Sequence, residues 1–260
     1  MRSLMLTMAV LCAIGSYSFG GVTMAQVRST GAAKNVVLVH GAFADDSSWS
    51  KVTPLLKAKG FRVTTAGNPL TSFADDVAAA KRAIAAQDGP TVLVGHSYGG
   101  VVITEAGNDP KVVSLVYVAA FAPDAGQSIG EISQGFAKPA GADQVQPQPN
   151  GFLLLSQKGI EEDFAQDLTP AEKAHLVAAQ PKTSGGIFEA KPTMAAWRAK
   201  PAWFVVAGND RMIDPDQEKS MAKQIKAKVT VLPSSHVAML SHPAEVAKII
   251  EEASVNGHGR

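Results

Sequence analysis

Residues 95–99 have the composition and the context of a nucleophilic site. They read Gly-His-Ser-Tyr-Gly, which places Ser97 between two glycines. An apolar stretch, residues 91–94, precedes the motif, and a helix-compatible stretch, residues 100–106, follows it. A serine in a sharp turn from a strand into a helix presents its hydroxyl group, and flanking glycines let the strand and the helix approach closely. This context favours Ser97 as a catalytic nucleophile over a purely structural glycine-rich turn.

Attack by a serine hydroxyl requires a base and an acid that orients the base. Behind a turn of this kind, the acid and then the base follow on loops after later strands, in the order Ser, Asp or Glu, His. Asp210 comes after the apolar run 203–208, and His236 follows the run 229–232 through a polar turn. We therefore predict Ser97, Asp210 and His236 as the catalytic residues.

Other acidic residues stay open as alternatives for the orienting acid. Asp124 comes just after the apolar run 113–119, and Asp214 and Asp216 are close to Asp210 in the sequence. Asp214 precedes a proline, which is typical of a helix start, so helix capping accounts for it without catalysis. Asp210 is preferred because of its position directly behind a strand.

Two further histidines are alternatives for the base. His40 and His96 each lie beside a tight turn, where an imidazole more often forms a hydrogen bond to the backbone. The histidine also comes last in the expected chain order, which favours His236.

A tetrahedral intermediate needs two backbone N–H donors for its oxyanion. One is expected at Tyr98, directly after the nucleophile. The other is expected at Ala42, in the loop that follows the first strand, where Gly41 lets the chain turn toward Ser97. Phe43, the next residue, is then a candidate for the substrate pocket.

Short β-branched runs alternate with helical patterns along most of the chain. This alternation predicts an α/β fold in which helices cover both faces of a mostly parallel sheet. One of the helical patterns begins at Ser72 and places Phe73, Val77 and Ile84 on one face. The six predicted strands are residues 35–40, 62–65, 91–95, 113–119, 203–207 and 229–232.

The alternation lapses in residues 124–198, which are rich in proline, glycine and glutamine. About 75 residues are too many for a structureless loop in a compact domain, so we predict an inserted, mainly helical cap. Its aromatic side chains could roof a pocket, with Phe152 and Phe188 as the preferred lining residues, although each could equally belong to the cap's own core.

Charge in the cap bears on the substrate. The acidic residues Glu161, Glu162, Asp163 and Asp167 surround Phe164 at spacings that suit the solvent-facing side of a helix. Lysine and arginine are sparse there, so the sequence favours a small neutral substrate over a charged one.

The composition, 46% hydrophobic and 18% charged over 260 residues, is that of a globular enzyme-sized domain. The net charge of +1 is spread without basic runs, which argues against nucleic acid as a partner. Sequence motifs for zinc, phosphate loops or dinucleotides do not occur, so we predict neither a metal nor a cofactor.

The N-terminus is typical of a secretory signal peptide. Arg2 supplies the positive charge and residues 4–15 the apolar stretch, and small residues before Gln26 predict cleavage after Ala25. We thus expect a signal peptide over 1–25, an exported domain over 26–260 located in the periplasm or the medium, and no membrane anchor after cleavage. Cys12, the single cysteine, lies in the segment that would be removed.

Four spaced motifs together resemble a known family. VLVHGAF, GHSYGG, AGNDRMI and SSHVAMLSHP are similar to those of small bacterial α/β hydrolases related to plant methylesterases and hydroxynitrile lyases. The resemblance implies Ser97, Asp210 and His236 as the triad, Ala42 and Tyr98 as oxyanion donors, and an α/β-hydrolase fold with six strands instead of eight. The lyases carry a lysine directly after the histidine, where this chain has Val237, so the lyase activity is disfavoured.

These observations favour hydrolysis of carboxylic esters through an acyl-enzyme. An amidase, a thioesterase or a cofactor-free perhydrolase would use the same residues. The alternative to an enzyme is a ligand-binding protein of this fold whose turnover is incidental.

Overall fold

The computed structural model describes residues 32–256, and the predicted signal peptide lies outside them. Within these bounds no helix is long and apolar enough to cross a membrane. The strands are β1 (Asn35–Val39), β2 (Arg62–Thr65), β3 (Thr91–Ser97), β4 (Val112–Ala120), β5 (Val145–Pro147), β6 (Phe152–Leu155), β7 (Thr183–Ser184), β8 (Ala202–Ala207) and β9 (Lys228–Leu232). The α-helices are α1 (Val52–Ala58), α2 (Phe73–Ala85), α3 (Gly99–Ala106), α4 (Ile129–Ile132), α5 (Gln157–Gly159), α6 (Pro170–Ala179), α7 (Pro215–Gln224), α8 (Ala238–Ser241) and α9 (Pro243–Asn256).

The main sheet has six strands in the order β2-β1-β3-β4-β8-β9, and every neighbouring pair is parallel. The predicted six-stranded α/β fold is thereby confirmed. β1, β3 and β8 are buried along their whole length, as expected for central parallel strands with helices on both faces. Their apolar runs on both faces form the core of the molecule.

The sheet brings the predicted catalytic residues to one edge. β3 ends at Ser97, β8 ends at Ala207 shortly before Asp210, and β9 ends at Leu232 shortly before His236. Because all strands are parallel, their carboxyl ends lie on the same side, where ligands bind in folds of this class.

The inserted segment between β4 and β8 carries the short helices α4, α5 and α6, as expected for a cap. It also contains a three-stranded antiparallel sheet in the order β5-β6-β7, which was not predicted. These strands have only two to four residues each, too few for an alternating pattern to stand out.

The expectation that the acidic residues of the cap face solvent is wrong for Asp163. This side chain is buried and forms an ion pair with Arg211 Nε at 2.9 Å. The segment Ile160–Phe164 is a π-helix, so the spacing of an α-helix does not describe which side chains share a face. Asp163 therefore fastens the cap to the loop that carries Asp210.

Candidate active site

Ser97 lies in a strained turn between β3 and α3. Its φ angle is +53°, in the left-handed region that a non-glycine residue rarely adopts. A Cβ atom on Gly95 would lie 2.6 Å from the carbonyl oxygen of Gly99, so only glycine allows the strand and the helix to meet this closely. The glycines thus fix the turn that presents Ser97, and Tyr98 N–H lies at the start of α3 directly behind it.

His236 and Asp210 form a buried hydrogen bond. Nδ1 of His236 donates to Oδ2 of Asp210 at 2.6 Å. The other carboxylate oxygen, Oδ1, accepts from the backbone N–H groups of Met212 at 2.7 Å and Ile213 at 3.1 Å. These donors hold the carboxylate in one orientation, and with Nδ1 engaged, Nε2 of His236 is left to act as a base.

The two alternative bases, His40 and His96, form hydrogen bonds to backbone carbonyl groups. Nδ1 of His40 donates to the Gly41 carbonyl at 3.0 Å, and Nε2 of His96 donates to the His236 carbonyl at 3.1 Å. Burial lowers the pKa of His96 well below its ordinary value, so this imidazole is neutral. Its ring centroid lies 4.7 Å from that of His236, which makes His96 a support for the loop that carries His236.

The alternative acids also have other partners. Both oxygens of Asp124 accept from the guanidinium of Arg198, which lowers the pKa of this carboxyl. Asp214 caps α7 through a hydrogen bond from the Asp216 N–H at 2.9 Å. Of these carboxylates, Asp210 is the one bonded to a histidine.

The loop with the expected second oxyanion donor lies against Ser97. A Cβ on Gly41 would lie 2.6 Å from Cβ of Ser97, so a larger residue does not fit there. Phe43 has φ of +60°, and its N–H donates to Oγ1 of Thr183 at 3.1 Å. Thr183 belongs to β7 of the cap, and nothing in the local sequence indicated that it holds this loop from 140 residues away.

The side chain of Tyr98 anchors the turn that presents Ser97. Its hydroxyl donates to Oδ2 of the buried Asp76 at 2.8 Å, and Oδ1 of Asp76 accepts from the Leu70 N–H at 2.7 Å. Burial raises the pKa of both the Tyr98 hydroxyl and the Asp76 carboxyl. The bond joins the start of α3 to α2, so the backbone of Tyr98 is held in place.

Ser97, His236 and Ala42 line one cavity of about 440 Å³ under the cap. Its wall is mainly apolar, and its aromatic lining residues are Phe43, Phe121, Phe136, Phe164 and Phe188. Phe43 stacks on Phe188 with ring centroids 6.2 Å apart. The predicted pocket residues Phe43 and Phe188 thus lie in the lining.

The prediction for Phe152 needs correction, because this residue is not part of the cavity wall. Leu153, the next residue of β6, lines it instead. Successive side chains of a strand point to opposite faces, so the two residues cannot both face the cavity.

The cap also contacts the two loops that carry Asp210 and His236. Nε2 of Gln166 donates to the Asn209 carbonyl at 2.6 Å, beside Asp210. The carboxylate of Asp167 accepts from the Ser235 N–H at 2.7 Å, beside His236. The ring of Phe164 lies 5.1 Å from that of His236, centroid to centroid. The cap therefore supports the site as well as enclosing it.

The polar groups of the cavity are few. Lys138 is the one lysine or arginine that lines it in the described part of the chain, and its ammonium pairs with Asp143. Gln217 donates from Nε2 to Oγ of Ser133 at 2.8 Å. Among residues 32–256, no group of three or more His, Cys, Asp or Glu side chains is arranged to hold a metal ion.

Residues 36–249 match the model of the Alpha/beta hydrolase family, and the chain belongs to that family. It is related to plant methylesterases. Methylesterase 3 of Arabidopsis thaliana is 25% identical over 251 residues, covering 84% of this chain and 95% of that protein. A pyrethroid hydrolase of Sphingobium wenxiniae is 27% identical over 256 residues, covering 84% of this chain and 86% of that protein. The solved structure of polyneuridine aldehyde esterase has the same fold, with a TM-score of 0.73 at 21% identity over 84% of this chain and 98% of that one.

Proposed function

We propose that this hydrolase cleaves small neutral carboxylic esters through an acyl-enzyme on Ser97. The observation that carries the proposal is the 2.6 Å hydrogen bond between His236 and Asp210 at a cavity that also contains Ser97. The names of its relatives, a methylesterase and a pyrethroid hydrolase, support the same reaction class.

In the proposed reaction, Nε2 of His236 takes the proton of the Ser97 hydroxyl as the oxygen attacks the ester carbonyl. The N–H groups of Ala42 and Tyr98 donate to the oxyanion that forms. His236 then gives the proton to the departing alkoxide, which leaves as the alcohol. A water molecule repeats the sequence on the acyl-enzyme and releases the carboxylic acid. The carboxylate of Asp210 orients His236 and stabilises the imidazolium in both halves of the reaction.

The shape and polarity of the cavity support a neutral, apolar acyl group. Aromatic side chains dominate its wall, and the ammonium of Lys138 is already paired with Asp143. Each methylene group of the acyl chain that becomes buried contributes ~0.8 kcal/mol, or about fourfold in kcat/KM, until the cavity is full.

The test is a panel of p-nitrophenyl esters from acetyl to hexanoyl, measured beside p-nitroanilides and thioesters of the same acyl groups. We expect kcat/KM to rise with chain length by about fourfold per carbon before it levels off. Esters should exceed the matched anilides and thioesters. Replacing Phe188 by alanine should move the preferred length while kcat for the acetyl ester stays nearly constant.

Four results would contradict the proposal. A flat profile from acetyl to hexanoyl, or the highest rate on a substrate that bears a carboxylate, would refute the apolar cavity as the specificity element. Faster cleavage of anilides or thioesters would show that the enzyme acts mainly on amides or thioesters and not on esters. Tight ligand binding with only a handful of turnovers would favour a binding protein.

A further inference from the structure

A carboxyl group that the proposed mechanism does not use lies directly behind the triad. Glu218, in the first turn of α7, is fully buried. Its Oε2 accepts from the N–H of Ala207, the last residue of β8, at 3.1 Å. Its Oε1 is buried and has no hydrogen-bond donor among the described residues. A buried carboxylate oxygen without a donor is costly, so this group requires an explanation.

The neighbour of Glu218 is the catalytic acid. Both residues bond to Ala207, whose N–H donates to Glu218 and whose carbonyl accepts from the Asp210 N–H at 3.2 Å. The Asp210 carboxylate is close enough to raise the pKa of the Glu218 carboxyl. The nearby cation, Lys219, has a half-exposed side chain and pairs with Asp216 at 2.8 Å. It does not offset two buried negative charges, and two adjacent buried carboxylates cannot both be ionised.

The hydrogen bonds decide which of the two carries the proton. Asp210 accepts from His236, Met212 and Ile213, and each of these donors stabilises its ionised form. Glu218 accepts one hydrogen bond, from Ala207. Burial and the adjacent charge of Asp210 raise the pKa of Glu218 well above its ordinary value, in agreement with this assignment.

We propose that Glu218 is a positioning residue that is kept as a neutral acid and donates a hydrogen bond from its carboxyl group to the carboxylate of Asp210. The donated bond adds to those from the backbone and fixes the orientation of the carboxylate that holds His236. A neutral partner does this without placing a second negative charge beside the imidazole. The inference rests on the proposed function of the triad.

Two variants of similar size separate this role from simple packing. In Glu218→Gln, the amide oxygen can accept from the Ala207 N–H while the amide group donates to Asp210. We expect kcat within about threefold of the wild type, because both hydrogen bonds persist. In Glu218→Leu, the donor is lost, and kcat should fall about 10- to 100-fold at nearly constant KM, because His236 is held less accurately.

The pH profile of Glu218→Gln tests the protonation state. If Glu218 is neutral, the substitution changes no charge, and the pH at which kcat/KM falls to half on the acid side stays where it is in the wild type. If Glu218 were ionised, the substitution would remove a negative charge near His236. The imidazolium would lose stabilisation, and that midpoint would move to lower pH, which would overturn the proposal.

An infrared difference spectrum of wild type minus Glu218→Gln gives a readout independent of turnover. It should contain the carbonyl stretch of a protonated carboxylic acid at neutral pH, and a carboxylate band in its place would refute the neutral state.

Equal kcat in the Gln and Leu variants, with unchanged thermal unfolding, would show that Glu218 contributes only packing and would overturn the proposal. If Glu218→Leu does not fold, the pH profile and the spectrum decide. Absence of ester turnover in the wild type would instead refute the proposed function, and the spectrum would still test Glu218.

Discussion

Ser97→Ala and His236→Ala should each lower kcat/KM for the best ester by ~10⁵-fold, and the double variant should lose little more than either single one. The reason is that the hydroxyl and the imidazole act in one step. Without Ser97 there is no nucleophile to deprotonate, and without His236 the hydroxyl stays protonated. The measurement is steady-state hydrolysis of a p-nitrophenyl ester by each purified variant, at matched protein concentration.

Folding is the control for this comparison. Ser97 has a positive φ angle in the wild type, so alanine there keeps the same backbone requirement, and far-UV circular dichroism should show an unchanged fold. Losses that add in the double variant would show that the two residues act independently, which would mean that one of them is assigned wrongly.

Asp210→Asn is expected to lower kcat by ~10⁴-fold, whereas Asp124→Asn and Asp214→Asn should stay within a few-fold of the wild type. The Asp210 carboxylate accepts the hydrogen of His236 Nδ1 at 2.6 Å. An asparagine amide can donate to Nδ1 instead, which places the imidazole hydrogen on Nε2 and prevents that atom from accepting the serine proton. The same kinetic assay measures all three variants.

The two control variants are matched to Asp210→Asn because each also replaces one carboxylate that was an alternative for the orienting acid. Asp124 pairs with Arg198, whose side chain is exposed, so the ion pair contributes ~0–1 kcal/mol of stability. Asparagine at 214 still caps α7. A large loss of kcat in Asp124→Asn together with an active Asp210→Asn would move the acid to the loop after β4.

The sheet could be predicted because its central strands are buried on both faces. Their β-branched runs stand out from the flanking helical patterns, and the observed strands differ from the predicted ones by at most two residues at an end, as in Thr91–Ser97. Strand and helix order also determine which loops meet at the carboxyl edge. The pairing of Asp210 with His236 follows from this local information and from chain order.

The residues that hold the site in place do so through contacts between segments far apart in the chain. Such contacts leave no local signal in the sequence. Thr183 holds the N–H of Phe43 from the cap, and Glu218 lies in a helix first turn, where acidic residues are common on solvent-exposed surfaces. Only the packing of α7 against β8 buries Glu218 beside Asp210.

The wrong predictions for Phe152 and Asp163 in the cap have the same cause. Whether Phe152 or Leu153 faces the cavity depends on the register of β6, and a shift of one residue exchanges the two faces. Asp163 is buried because Arg211 reaches it from the loop after β8. A cluster of acidic residues in the sequence does not contain that information.

Covalent labelling tests the central claim, that Ser97 is the nucleophile, most directly. The wild type would be inactivated with a p-nitrophenyl alkylphosphonate, which reacts as the ester carbonyl does but forms a stable adduct. Intact mass spectrometry should show one phosphonyl group per chain, gained in proportion to the activity lost, and peptide mapping should place it on Ser97. Ser97→Ala should gain none. Complete inactivation with the group on another residue, or labelling of Ser97→Ala at the wild-type rate, would contradict the account.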